Sequence, residues 1–128
     1  MTTPVRLRLS RRKGFDLQAL SRATNGMEAV KVDRSTAYGN PFIVGKHGTR
    51  AYCVELFVRL FEGLLPIVDV ETTRAAHRLI GERSAILADL RGKNLACWCA
   101  LPAPGEPDVC HAAVLLQLAN SPICEEVA

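Results

Sequence analysis

A chain of 128 residues that is 48% hydrophobic and 23% charged has the size and balance of one ordinary globular domain, and disorder is not expected. Its net charge of +3 is modest for a nucleic-acid binder, and no apolar run reaches the roughly 18–20 residues that span a bilayer. Five cysteines, an odd number, behind a basic N-terminus "MTTPVRLRLSRRK" with no apolar leader, point to reduced thiols in a cytoplasmic protein rather than a disulfide framework.

In chain order, Val5–Leu9 alternates apolar and basic residues and predicts a strand. "SRRKGFD" turns the chain, and residues 16–26 fit either a short helix or a loop ending at "TNG". Ala29–Val32 predicts a second strand, leading into the polar loop "DRSTAYGNPF", where Asn40 before Pro41 is biased to extended geometry. Thr49–Leu64 predicts a helix with Glu55, Arg59 and Glu62 on one face and Leu56, Phe57, Leu60 and Phe61 opposite; Pro66 stops it. Residues 70–90 keep helical spacing, with Gly81 as a point where the helix divides. "RGKN" turns into a short buried strand, Leu95–Cys99. The final helix runs from about Cys110 to Asn120, ahead of Ser121-Pro122, and is apolar on nearly every side, so other elements must enclose it. The expectation is a single compact three-layer α/β domain over residues 1–128, with a small, at least partly parallel sheet.

The chemistry concentrates in "NLACWCALPAPGEPDVCHAAVLLQLAN". On an extended strand Cys97 and Cys99 project from one face about 7 Å apart, too far for two ligands of one tetrahedral zinc unless the strand ends or bends at Trp98. Adjacent Cys110 and His111 are also awkward for one metal. No metal or other cofactor is therefore expected, with zinc on Cys97, Cys99, Cys110 and His111 as the disfavoured alternative. The site reading instead places Cys99 at a strand's carboxyl end and Cys110 and His111 at a helix N-terminus, where open α/β folds build their crevices. Free N–H groups there attract anions and lower a thiol's pKa. Cys110 or Cys99 is the candidate nucleophile or site thiol, and His111 the candidate acid/base. Trp98 is expected in the core, and Cys53 and Cys124 are read as structural or incidental.

Charge points to the same place. Residues 1–34 hold eight Lys/Arg against three Asp/Glu, whereas the remainder holds eight against ten. Arg11 and Arg12 follow the first strand and Arg34 the second. If both run parallel to Leu95–Cys99, these arginines gather near its end, with Ser35, Thr36 and Asn40 as hydrogen-bonding groups and Gly39 allowing close backbone approach.

The blocks "VRLRLSRRKG", "VKVDRSTAYGNPF", "LRGKNLACWC" and "CHAAVLLQLAN" together resemble a family of bacteria and their phages, the domain of unknown function numbered 4326. The resemblance implies no activity. It singles out Arg11, Arg34, Ser35, Asn40, Pro41, Cys97, Cys99, Cys110 and His111, and the loop Ala100–Val109 looks longer than is usual there. The "C…CH" helix start is also similar to that of another α/β family, which implies a Rossmann-like layout by analogy. The expected function is binding or processing of a nucleotide or nucleic-acid component in an anion-binding crevice with a Cys/His site. A non-catalytic nucleotide- or nucleic-acid-binding module and a small zinc-stabilised interaction domain are the alternatives. Partners are then a phosphate-bearing small molecule or nucleic acid, and no membrane.

Overall fold

A computed structural model describes residues 3–121. Among them the order is β1 (Arg6–Arg8), α1 (Leu17–Asn25), β2 (Ala29–Lys31), α2 (Arg50–Phe61), α3 (Val70–Leu90), β3 (Asn94–Cys97) and α4 (His111–Ala119). The sheet is wholly parallel, in the order β1-β3-β2, with Leu7 opposite Ala96 and Val30 opposite Leu95. The expected α/β domain with a small parallel sheet is what the chain forms.

The topology explains the layers. The crossover from β1 to β2 and the return from β2 to the central β3 run in opposite directions across the sheet. Parallel crossovers share one hand, so opposite directions put the connecting helices on opposite faces. Leu7, Leu9, Ala29 and Ala96 accordingly pack with Phe15 and Leu17 on the α1 side. Val32, Leu95 and Cys97 pack with Phe57, Leu60, Leu79, Leu90 and Leu115 of α2, α3 and α4 on the other. All four residues of β3 are buried, as a strand covered on both faces requires.

Local chemistry sets the helix ends. Residues 17–25, undecided between helix and loop, are helical because Asp16 caps the Ala19 N–H and Gly26 closes the end at φ 79°. Thr49 caps α2 through the Tyr52 N–H, and the helix stops at Phe61, short of the expected Leu64, before Gly63 turns left-handed. Asp69 caps α3 through Thr72. The expected break at Gly81 does not occur: α3 is continuous for 21 residues, because Gly81 is exposed while Ala76, Leu79, Ile86 and Leu90 bury one stripe on both sides of it. An exposed mid-helix glycine costs only about 1 kcal/mol, less than that stripe contributes.

Asn94 ties the sheet to α1. It is fully buried; its Oδ1 accepts from the Val5 N–H (2.9 Å) and Asn25 Nδ2 (2.8 Å), and its Nδ2 donates to Ser21 Oγ (2.7 Å). Among the described residues no helix is long and apolar enough to cross a membrane.

Candidate functional site

Because all strands are parallel, the ends of β1, β2 and β3 lie at one edge of the sheet, and the loops that follow them meet the start of α4. Strand β3 ends at Cys97, earlier than the expected Cys99, because Trp98 and Cys99 bend out of the sheet. That bend brings the Cys97 and Cys99 Sγ atoms to 4.0 Å instead of the distance an extended strand imposes. Cys110 arrives as the N-cap of α4, and the three sulfur atoms lie within 4.8 Å of one another. They are free thiols.

The return of the chain from Cys99 to Cys110 is held by Arg6. Its guanidinium donates to the carbonyls of Cys99 (3.0 Å) and Ala100 (2.7 Å) and pairs with both carboxylate oxygens of Asp108. Burial works most strongly against the charge on Arg6, but the bond to Asp108 and the negative charge of Cys110, Asp108 and Cys99 together outweigh it and raise the pKa. The longer loop therefore does not separate the thiols.

The triad forms part of the floor of a crevice of about 380 Å³. Asp33, Arg34, Asn40, Phe42 and Val44 line one side, from the loop after β2; Arg50, Cys53 and Val54 of α2 line another; Trp98, Val109 and His111 complete it. Arg50 donates through Nη1 to Cys99 Sγ at 3.0 Å. A second hollow of about 350 Å³ shares Arg50, Cys99, Val109 and Cys110 with the first.

The thiols share protons. A hydrogen bond from Cys110 brings the Cys97 thiol down to about 5 against the opposing effect of burial. Cys110 is pushed up for the same reason, reinforced by burial, since a second anion beside the first is unfavourable. The lowered thiol expected at Cys110 alone thus belongs to the Cys97–Cys110 pair, in which one sulfur ionises at the expense of the other. Burial lowers His111, partly offset by its bond to the Val32 carbonyl (2.6 Å). With Nε2 donating there, Nδ1 carries the lone pair and lies 3.9 Å from Cys110 Sγ. Phe57 packs edge-on against the imidazole. Burial pushes the Cys53 thiol up, with the Arg34 charge opposing.

The arginines divide. Arg34 lines the crevice but gives Nη1 to the Asn40 carbonyl and Nη2 to the Phe42 carbonyl, so it also folds its own loop. Arg11 lies over the Trp98 ring at 4.7 Å, and Arg12 is exposed outside the crevice lining. Ser35 donates to Asp33 Oδ1 (2.6 Å) and Thr36 to the Asp33 carbonyl (2.9 Å), both within the loop. Asn40 reaches the crevice with its amide engaged by Cys53 O and Phe42 N. Gly39 allows a close approach, but to its own chain: a Cβ there would lie 2.7 Å from Arg34 Cα and the Asp33 carbonyl.

Trp98 is not the core residue expected from strand alternation. It is 37% exposed because the strand has ended, and its Nε1–H is anchored on Asp33 Oδ2 at 2.7 Å. Burial would raise the Asp33 pKa, but bonds from Ser35 and Trp98 overcome it and keep the carboxyl low. Sequence reasoning missed Arg50 and Asp33. The available signals were Arg50 three residues before Cys53 on a helix, and Asp33 immediately before Arg34. Cys124 lies outside the described residues.

The class these features define is a parallel α/β domain whose crevice opens beyond the strand ends and carries a thiol triad flanked by arginines. Residues 17–121 match the family model described as Domain of unknown function (DUF4326), and the chain belongs to that family. The match begins at α1, so Arg6 and Arg11 lie outside it, whereas the triad, Arg34, Arg50 and Trp98 lie inside. No curated protein and no solved structure matches the chain.

Proposed function

We infer that the crevice binds a phosphate-bearing small molecule, with a nucleotide or nucleic-acid component as the ligand class. The observation that carries this reading is the placement of Arg50 and Arg34 on different walls of one cavity that also receives the N-terminus of α4. Guanidinium forks and unpaired helix N–H groups are the standard means of holding a phosphate. The volume of about 380 Å³ suits a small molecule rather than a duplex. Trp98, its Nε1–H anchored on Asp33, adds an aromatic ring to the crevice lining, with the cation of Arg11 over one face and the opposite face as the surface on which a base would stack. The layout shares with doubly wound folds a crevice at the carboxyl ends of parallel strands.

Cys110 and His111 are 2% and 7% exposed and contribute to the crevice floor; Cys99, half-buried beside Arg50, is the more accessible thiol for any reaction with the ligand. Thermal-shift screening of inorganic phosphate, nucleoside phosphates and short oligonucleotides tests the reading. Nucleoside phosphates should raise the melting temperature, and Arg50→Ala should weaken their binding by about 1.5–3 kcal/mol, the range for a hydrogen bond to a charged group. If no phosphate compound shifts the transition, or Arg50→Ala binds equally well, the crevice is not an anion site.

A further inference from the structure

We propose that Cys97, Cys99 and Cys110 together hold one zinc ion through three thiolates, with the fourth coordination position open to the crevice. The sulfur positions match such a site. A tetrahedral zinc with bonds of about 2.3 Å needs its sulfur atoms about 3.8 Å apart. Cys97 and Cys99 are already 4.0 Å apart, and no pair in the triad exceeds 4.8 Å. The geometric objection to a C-x-C pair held only for an extended strand, and the bend at Trp98 removes it.

The ligands are also held in place before any metal arrives. Cys97 is the last residue of the central strand, and Cys110 is fixed as the first residue before α4. Between them Arg6 grips the carbonyls of Cys99 and Ala100. Three thiolates and Zn²⁺ leave one negative charge, and Arg50, 3.0 Å from Cys99 Sγ, is placed to balance it. The donor set is soft, because the nearby carboxylate of Asp108 is committed to Arg6; that favours zinc over magnesium or calcium. His111 is not in the set: its Nδ1 approaches Cys110 Sγ to 3.9 Å but lies outside the group of mutually close ligand atoms. All three cysteines line the crevice, so a three-ligand site leaves one position for water or a ligand atom there. The proposal stands on the thiols and does not depend on phosphate binding.

The test uses the full chain, purified under reducing conditions, exposed to Zn²⁺ and desalted. Elemental analysis should find about one zinc per chain. Cys97→Ser, Cys99→Ser and Cys110→Ser should each weaken retention at least tenfold in competition with a chromophoric chelator. A serine at the buried positions 97 and 110 can disturb folding, so two measurements use the unaltered chain. Co²⁺ titration should produce thiolate-to-cobalt charge-transfer absorption of three-thiolate intensity, and Zn²⁺ should slow alkylation of Cys99, the partly accessible member. A folded chain that retains neither ion, a cobalt spectrum without thiolate bands, or a folded Cys99→Ser chain that holds Zn²⁺ as tightly as the unaltered one overturns the proposal.

Discussion

Arg6, on the edge strand β1, reaches Asp108 just ahead of α4 and closes its guanidinium on that carboxylate, spanning 102 residues of sequence. The Arg6 side chain is only 3% exposed. Through this pair, and through the two carbonyls Arg6 also holds, the first strand determines where the chain lies between Cys99 and Cys110.

Removing one partner of such a pair leaves the other, and the carbonyls, without compensation. Arg6→Met should therefore cost about 3–5 kcal/mol of stability. Asp108→Asn retains an acceptor and should cost less, about 1.5–3 kcal/mol. Urea denaturation measures both, and limited proteolysis should show earlier cleavage within residues 100–109. If the double variant loses the sum of the two single losses, the residues act independently and the loop is held by other means.

Two glycines should respond oppositely to the same substitution. A methyl group at Gly39 would meet the backbone of Asp33 and Arg34 at 2.7 Å, so Gly39→Ala should cost about 1–3 kcal/mol and disturb the crevice wall. Gly81 has nothing within 4 Å of its added Cβ and sits in the exposed middle of α3, so Gly81→Ala should stabilise by about 1 kcal/mol. Melting temperatures should move by a few degrees in opposite directions. A shift of the same sign for both would contradict the packing described.

Asp69 makes acid stability predictable in sign. His47 Nδ1 accepts from the Ile43 N–H, so Nε2 carries the proton given to Asp69 Oδ1 at 2.8 Å. That bond, with those from Thr72, holds the Asp69 carboxyl well below the usual carboxylate range. A depressed folded-state pKa means stability that is fully present above the unfolded value of about 3.9 and is lost as pH falls below it. Asp69→Asn keeps a capping oxygen without the charge. It should be less stable than the unaltered chain at pH 7, and the gap should narrow by pH 3. Urea midpoints at both values check this; a constant gap would show that ionisation of Asp69 does not contribute.

Periodicity and punctuation alone carried most of the fold. Apolar alternation in Val5–Leu9, the stripe of Leu56, Phe57 and Leu60, and the stop at Pro66 act within a few residues, so their consequences are local and readable. The gathering of Cys99, Cys110 and His111 near one place was also legible, because strand ends and helix starts meet in a parallel α/β domain.

What only the tertiary structure decided was how those groups face one another. Whether β3 stops at Cys97 or continues to Cys99 depends on the bend, and on the contacts of Trp98 with Asp33 and of Arg6 with two carbonyls. Trp98 and Asp33 are 65 residues apart, and Arg6 and Cys99 are 93. No local pattern encodes such pairings. The bend changes the Cys97–Cys99 sulfur distance from that of a strand to 4.0 Å, and it turns Trp98 from a core position to the rim. Likewise, the basic character of Arg6, Arg34 and Arg50 is plain in the sequence. Yet one clamps a loop, one braces its own turn and one meets a thiol, because each guanidinium's role depends on which carbonyl, carboxylate or sulfur the fold places within reach.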